Sequence, residues 1–385
     1  MILESEFPPD IRVENEIESL LKAGHEIHLA CFTKISQSEF EKYNGYFIHR
    51  KKISGFLYKS SVACLRFPIY FNFWKKFLKK LFSKYDFEAI HIHDLPMIKV
   101  GVVIKNEFNI PLIIDLHENF PAAIEVYSHT NTILGKILSP AKLWHRYELK
   151  YLKKADTIIT VVDEAKERLI KLGIEPDLIT VVSNTLNLDK FRLNNRNTDN
   201  NFSTLVYVGG LNVHRGIQNV LKALVEVIRR IPKMRFWIVG EGSYKIKLIH
   251  LTKELKLEKN VKFWGWQNTD KISELLSKSD IALIPHLKSD HTDSTIPHKL
   301  FQYMYAQIPI IASDCEPIKR ILNETNTGLI YESNNISQLT KTIIDLAENK
   351  EKYDSLIKNG KKAVLGKFNW NNDEKNLLAI FRVRK

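Results

Sequence analysis

Three stretches carry residues whose types and spacing suit a phosphorylated ligand. The longest contains Asp293, Ser294, Thr295, Ile296, Pro297, Lys299 and Gln302 and ends in an apolar segment before Asp314; it reads as polar loop, helix, turn and buried strand. Ser294 or Thr295 is placed to cap that helix and Pro297 suits its first turn. The uncapped amide groups there, with Lys299 one turn in, would seat an anion. The second stretch is a strand from Leu205 ending in Gly209 and Gly210, then a short polar loop in which Arg215 and Gly216 precede a helix over 217–229. The third consists of two strand ends, one with His91, His93 and Asp94, the other with Asp115, His117 and Glu118. In an open parallel sheet, ligands gather at the carboxyl ends of strands. His91 and His93 share one strand face, which supplies only part of a metal's ligand set, and no further ligand is evident beside them. No metal site is expected.

These residues need a scaffold, and the pattern supplies an α/β one. Apolar strands alternate with helices from Gly24 to Val182 and again from Leu205 to Leu365. That alternation predicts parallel sheets covered on both faces. With 385 residues and 44% hydrophobic content the chain can fill two cores. The expected division is 1–184, a linker over 185–201 rich in Asn and Asp, 202–367, and a final segment 368–385 that returns to the first domain. No run of apolar residues is long enough for a membrane span, and the opening, with Glu4 and Glu6, does not read as a signal peptide. Cys31, Cys64 and Cys315 have no metal-ligand spacing and fit free thiols in a cytoplasmic protein. The formal charge of +13 selects anionic partners. No nucleic-acid motif accompanies it, so phosphate and membrane surfaces rank above nucleic acid.

The strand ending in Gly209, the run through Gly240 and Gly242, the strand ending at Pro285 and the Ser294–Gln302 region together resemble the nucleotide-sugar-binding half of the family 4 glycosyltransferases. The resemblance covers almost the whole chain. It implies the GT-B fold, two Rossmann-like domains whose parallel sheets face across a cleft. It also implies a nucleotide-sugar donor, with no metal or other cofactor. On that resemblance, donor-binding positions are Gly209, Gly210, Arg215, Gly240, Gly242, Trp266, Ser294, Thr295, Ile296, Lys299 and Gln302. His117 matches the histidine beside the donor sugar. Asp10, Arg12, His93, Asp94 and Glu118 fall on the acceptor side, although a capping Asp10 and a surface Arg12 are an equally simple reading. The chain departs from the family pattern at several places. Arg215 replaces the usual Lys, Gly210 replaces an Arg, Ser294 and Gln302 replace two glutamates, and Gln307 and Thr185 stand where glycines are usual. At Gln307 a left-handed backbone is expected, at a cost of roughly 1 kcal/mol.

Glycosyl transfer develops negative charge on the departing diphosphate, which fixed cations and helix-terminal amides can stabilise. Arg215 and Lys299 are the two expected cations, and Arg215 can grip phosphate in a bidentate way. The leading reading is a retaining transferase that moves a sugar onto a saccharide or lipid-linked acceptor. The alternatives are an epimerase of the same fold, kept open by Asp94 and Glu118, and a catalytically silent partner subunit. Residues 71–84 place Phe71, Trp74, Leu78, Leu81 and Phe82 on one helical face and Lys75, Lys76, Lys79, Lys80 and Lys84 on the other. The pattern fits either a helix lying in an anionic membrane interface, making the protein peripheral on the inner face of the membrane, or a core helix with a solvated basic side.

Overall fold

The computed structural model describes residues 1–35, 37–127, 130, 132–193 and 203–382. It divides into two compact units, one formed by Met1–Ser183 with Asp373–Lys385 and the other by Asn184–Asn372. In the first unit, β1 (His28–Thr33), β2 (Phe40–Tyr43) and β3 (Tyr46–Lys52) form one sheet in the order β1-β3-β2. β2 is antiparallel to β3, a hairpin absent from the sequence reading. The parallel strands β4 (Ile90–His93), β5 (Leu112–Leu116), β6 (Thr157–Thr160) and β7 (Ile179–Val181) form the other. Ile2 joins the two, bridging Ala30 on one side and Ile92 on the other, both parallel. β4 and β5 are buried along their whole length, which explains their near-continuous apolar sequence.

The helix Ile11–Lys22 begins at Asp10, whose carboxylate accepts the Val13 amide at 3.1 Å, and buries Val13, Ile17 and Leu20. The helix Ile69–Phe82 decides the question raised by 71–84. Phe71, Trp74 and Leu78 are buried in the same core as Ile90, Ile92, Ile98 and Leu112, with Leu81 and Phe82 packed against it. Its apolar stripe is therefore already covered by protein, and only the lysine side faces water, where Lys79 pairs with Glu107 at 2.6 Å. The expectation that this helix lays its apolar face in a membrane is corrected. Among the described residues no helix is long and apolar enough to cross one.

In the second unit, β8 (Thr204–Val208), β9 (Arg235–Val239), β10 (Val261–Gly265), β11 (Ile281–Ile284), β12 (Ile310–Ser313) and β13 (Gly328–Tyr331) form one sheet, ordered β10-β9-β8-β11-β12-β13. Every pairing in it is parallel. Gln307, at φ 56°, takes the left-handed turn between helix and β12. Residues 184–193 do not behave as a free linker. Thr185, Leu186 and Phe191 are buried, and Leu186 pairs with Asn369 and accepts the Trp370 amide at 3.0 Å, all within the second unit. Residues 194–201 of the expected linker, and 383–385, lie outside the described residues. The return to the first unit begins at Asp373, partway along the helix Trp370–Arg382, rather than at 368, because Phe368 stacks on Phe301 in the second unit. Beyond that point Glu374 accepts the Ser19 hydroxyl at 2.9 Å and Phe381 packs on His25.

Trp74 is fully buried and fills the space between helix and sheet. Trp74→Ala is expected to remove roughly 3–5 kcal/mol from the first unit, measured by urea denaturation. Lys76→Glu or Lys80→Glu on the exposed side should leave its midpoint nearly unchanged.

Candidate active site

The strands of the second sheet all point the same way, so Gly209, Gly240, Gly265 and Pro285, which end or follow β8 to β11, collect on one edge. Lys299 reaches that edge as the first residue of the helix Lys299–Tyr305. Its ammonium lies over the Tyr207 ring, 3.8 Å from the centroid, and is buried without a hydrogen-bond partner. Gly209 makes this possible. Its φ is 135°, and a Cβ there would come within 2.8 Å of Lys299 Nζ. Burial, then the charge of Arg215, holds the Lys299 ammonium well below the usual lysine range.

Arg215 closes a 3-10 turn and is followed by Gly216 at φ 70°, where a Cβ would strike the Pro285 carbonyl. Its Nη1 donates to His286 Nε2 at 3.2 Å. A guanidinium only donates, so His286 carries its proton on Nδ1. Burial and the neighbouring cations Arg215 and Lys299 push His286 well below its ordinary value. The same causes, burial first and Arg215 next, take His214 to about 3 and His291 to about 4. All three are neutral at pH 7, so the edge holds two cations and no compensating anion among these neighbours.

The expected cap is absent. Ser294 lies in a 3-10 turn and its hydroxyl donates to the Asp290 carbonyl at 2.8 Å, while Thr295 is extended at φ −148°. The helix starts only after Pro297, and the Leu300 amide already bonds to the Pro297 carbonyl. Lys299, the first residue of this helix, brings a side-chain charge to that end. Ile296 and Gln302 are buried beside Lys299, whereas Trp266 is 72% exposed just past β10. Gly240 and Gly242 let the backbone approach that of Gly209 and Leu211. Gly210 accepts the Tyr207 hydroxyl at 2.9 Å.

In the first unit the strand-end residues form a buried charge network. Arg12 grips Asp115 through two bonds, Nε to Oδ2 at 2.8 Å and Nη2 to Oδ1 at 2.7 Å, and gives Nη1 to the Val182 carbonyl. Asp115 Oδ2 also meets His117 Nε2 at 2.8 Å, and His93 Nδ1 lies 3.3 Å from that nitrogen. On the other side of the ring, Asp94 Oδ2 is 3.4 Å from His117 Nδ1, and Asp94 Oδ1 accepts the His117 amide. Asp94 sits at φ 67°, ψ 155°, a region close to glycine-only, so its placement is held at an energetic cost. Burial alone would lower His117. Asp94 and then Asp115 outweigh it and raise the imidazole to about 10, making His117 a cation at neutral pH.

Arg12 is thus neither a surface residue nor free for an acceptor, because its guanidinium is committed inside the unit. Asp10 caps a helix, and Glu118 is taken by the Tyr127 hydroxyl at 2.7 Å. Asp94 and His117 remain partly exposed and are the groups a ligand can reach. Sequence reasoning missed Glu16, although its position four residues after Arg12 put both on one helix face. Glu16, His91, His93 and Asp115 each place a ligand atom within 4.8 Å of the others. A divalent ion is opposed by Arg12, whose charge already occupies both Asp115 oxygens and lies 3.2 Å from Glu16. Burial and the charge of Asp115 raise the Glu16 carboxyl well above its usual range.

Residues 11–190 match the family described as Glycosyltransferase Family 4, and residues 189–363 match the family described as Glycosyl transferases group 1. The alpha-monoglucosyldiacylglycerol synthase of Acholeplasma laidlawii is 23% identical over 90% of this chain and 86% of its own. Sucrose-phosphate synthase from Thermosynechococcus elongatus superposes with a TM-score of 0.79 at 17% identity, covering 97% of this chain and 92% of that one. Anabaena HepE, solved in complex with UDP, gives 0.71 at 13% identity over 99% of both chains. The chain belongs to the family 4 type of glycosyltransferases and has the GT-B fold. It is a transferase, and Arg215 and Lys299 lie in the part that matches the group 1 family.

The raised folded value of His117 fixes a sign. Relative to an unfolded histidine near 6.5, its contribution to stability is complete below that pH and is lost as pH rises toward about 10. Asp94→Asn keeps an acceptor for the His117 amide but removes the charge. NMR titration of labelled histidine should show His117 still protonated at pH 8 in the parent and titrating at clearly lower pH in Asp94→Asn.

Proposed function

We propose that this chain is a retaining glycosyltransferase that binds the diphosphate of a nucleotide sugar between Arg215 and Lys299 and passes the sugar to a lipid-linked or growing saccharide acceptor. The observation that carries the donor reading is the buried Lys299 ammonium beside Arg215, with no hydrogen-bond partner of its own. An unpaired charge taken out of water is unfavourable. A bound diphosphate supplies the missing counter-charge, and its oxygens bring acceptors for Lys299 Nζ and for the free Nε of Arg215. As the glycosidic bond breaks, negative charge grows on the same oxygens, so the two cations stabilise the departing group more than the intact donor. No metal ion is required for that neutralisation.

The retaining outcome rests on the family likeness. In such a course the departing phosphate oxygen accepts the proton of the acceptor hydroxyl on the face it is leaving. His117, held as an imidazolium by Asp94 and Asp115, then serves as a fixed positive charge toward the donor sugar, not as a base. Support for UDP as the nucleotide comes from the solved relative that binds it, and support for a lipid acceptor from the relative named for a diacylglycerol product. A cell-surface polysaccharide or glycolipid is the product class this reading favours.

Arg215→Ala or Lys299→Ala should each lower turnover by roughly a hundredfold or more, and chelators should leave the parent activity unchanged. Inactivation by chelator with rescue by a divalent ion would refute the metal-free part.

A further inference from the structure

The helix at 69–82 cannot present its apolar face, yet the segments just before it present a different one. Phe56 is 77% exposed, Phe67 55% and Ile69 49%, and on the neighbouring helix Ile133–Leu138 the side chains of Ile133 and Ile137 are 85% and 57% exposed. These segments form one surface. The helix Gly55–Lys59 packs on the turn Ser60–Ala63 and on the helix Ile69–Phe82, and the helix Ile133–Leu138 packs on the same turn. Arg66 Nε donates to the Ile137 carbonyl at 3.1 Å and pins the two parts together. Large aliphatic and aromatic side chains exposed on segments that pack together mark a contact surface.

The charge around them selects the partner. Between Glu41 and Asp86 the chain has no acidic residue, and the exposed basic residues Lys51, Lys52, Lys59 and Arg66 lie in the same stretch, with Lys136 beside Ile137. Bulky apolar groups and cations exposed on the same segments, with no carboxylate among residues 42–85, match an anionic lipid interface, where the apolar groups enter the acyl boundary and the cations meet phosphates. The position is also apt. β1 and β3 are parallel to each other, Ile2 runs parallel to both Ala30 and Ile92, and 53–59 follows the carboxyl end of β3. This is the sheet edge that carries Asp94 and His117. Glu4, which follows the Ile2 bridge, lies near both Tyr70 and Asp94 and feels the latter's charge.

We propose that this surface, centred on Phe56, Phe67, Ile69, Ile133 and Ile137, docks the protein on an anionic phospholipid bilayer and so brings a lipid-linked acceptor to the His117 edge. The significance for catalysis rests on the lipid-acceptor reading above. The docking itself does not, and the experiment separates them by using neither donor nor acceptor.

Purified protein is sedimented with large vesicles of phosphatidylcholine alone or mixed with phosphatidylglycerol, at low and high salt. Binding is expected only with phosphatidylglycerol and should fall steeply as salt rises. Lys52→Glu, Lys59→Glu and Lys136→Glu together should weaken partitioning on the order of a hundredfold, and Phe56→Asp with Ile133→Asp should abolish it, with melting temperatures kept. The triple variant Lys76→Glu, Lys79→Glu, Lys80→Glu serves as the charge-matched control and should bind much better than the first triple variant. Because Cys31, Cys64 and Cys315 are all buried, an environment-sensitive dye can be placed selectively at Phe56→Cys. Its emission should shift blue on anionic vesicles, while a dye at Lys247→Cys should not respond. The proposal is overturned if the parent stays in the supernatant at low salt, if the two triple variants lose binding equally, or if the dye at position 56 reports water in the bound state. Binding to an acidic protein or nucleic acid with no vesicle binding would overturn it equally.

Discussion

A buried ammonium without an anion beside it is the constraint around which the second unit is arranged. Lys299 is carried to the sheet edge by a short helix, rests on the face of Tyr207 and occupies space that only a glycine at 209 leaves open. Arg215 adds a second charge of the same sign, and the three nearby imidazoles stay neutral because those charges and burial leave them no room to protonate. Taken alone the arrangement opposes folding, since like charges are gathered out of water. On the proposed donor reading, a doubly charged phosphate group would offset that cost.

The first unit solves the opposite problem. Arg12, Asp115, His117 and Asp94 alternate in sign, and burial raises the carboxyl of Glu16 beside them. The centre of this network, Arg12 with Asp115 and His117, is joined by short hydrogen bonds that hold the side chains in place. Its one concession is Asp94, whose backbone occupies a region meant for glycine so that its carboxylate reaches both the ring and the amide of His117. A network balanced in this way gives the imidazolium a fixed place and charge, while leaving one face of the ring partly open to a ligand.

Much of this was legible in the sequence, and the parts that were not have physical causes. Strand ends were readable because apolar runs stop abruptly at Gly209, Asp94 and His117, and a lone cation after such a stop has few other purposes. The start of the helix at Lys299 was misread because Ser294, Thr295 and Pro297 make a plausible cap locally, and only tertiary structure diverts the Ser294 hydroxyl to Asp290. The apolar face of 71–84 shows the limit of periodicity. A stripe of Phe, Trp and Leu predicts burial but not what does the burying, and here it is the sheet. Glu16 and Arg12 were one helical turn apart in plain view, but their partner Asp115 lies about a hundred residues on, beyond the reach of any local pattern.

Among the described residues, Met1 to Leu3 bridge the two sheets of the first unit. Four backbone hydrogen bonds form this seam: Ile2 to His91, His93 to Ile2, Leu3 to Ala30 and Ala30 to Met1. A junction with so few bonds is the weakest line in an otherwise well-tied sheet, and local opening concentrates along such lines. Amide hydrogens at Ala30 and His93 should then exchange with solvent faster than those at the centre of β5, whose neighbours pair on both sides. The subglobal unit that opens first would be the three-stranded sheet β1-β3-β2, leaving the strands that hold Asp94 and His117 paired with each other. The chemistry is thus sited on the more cooperative side of a fold that can breathe on the other.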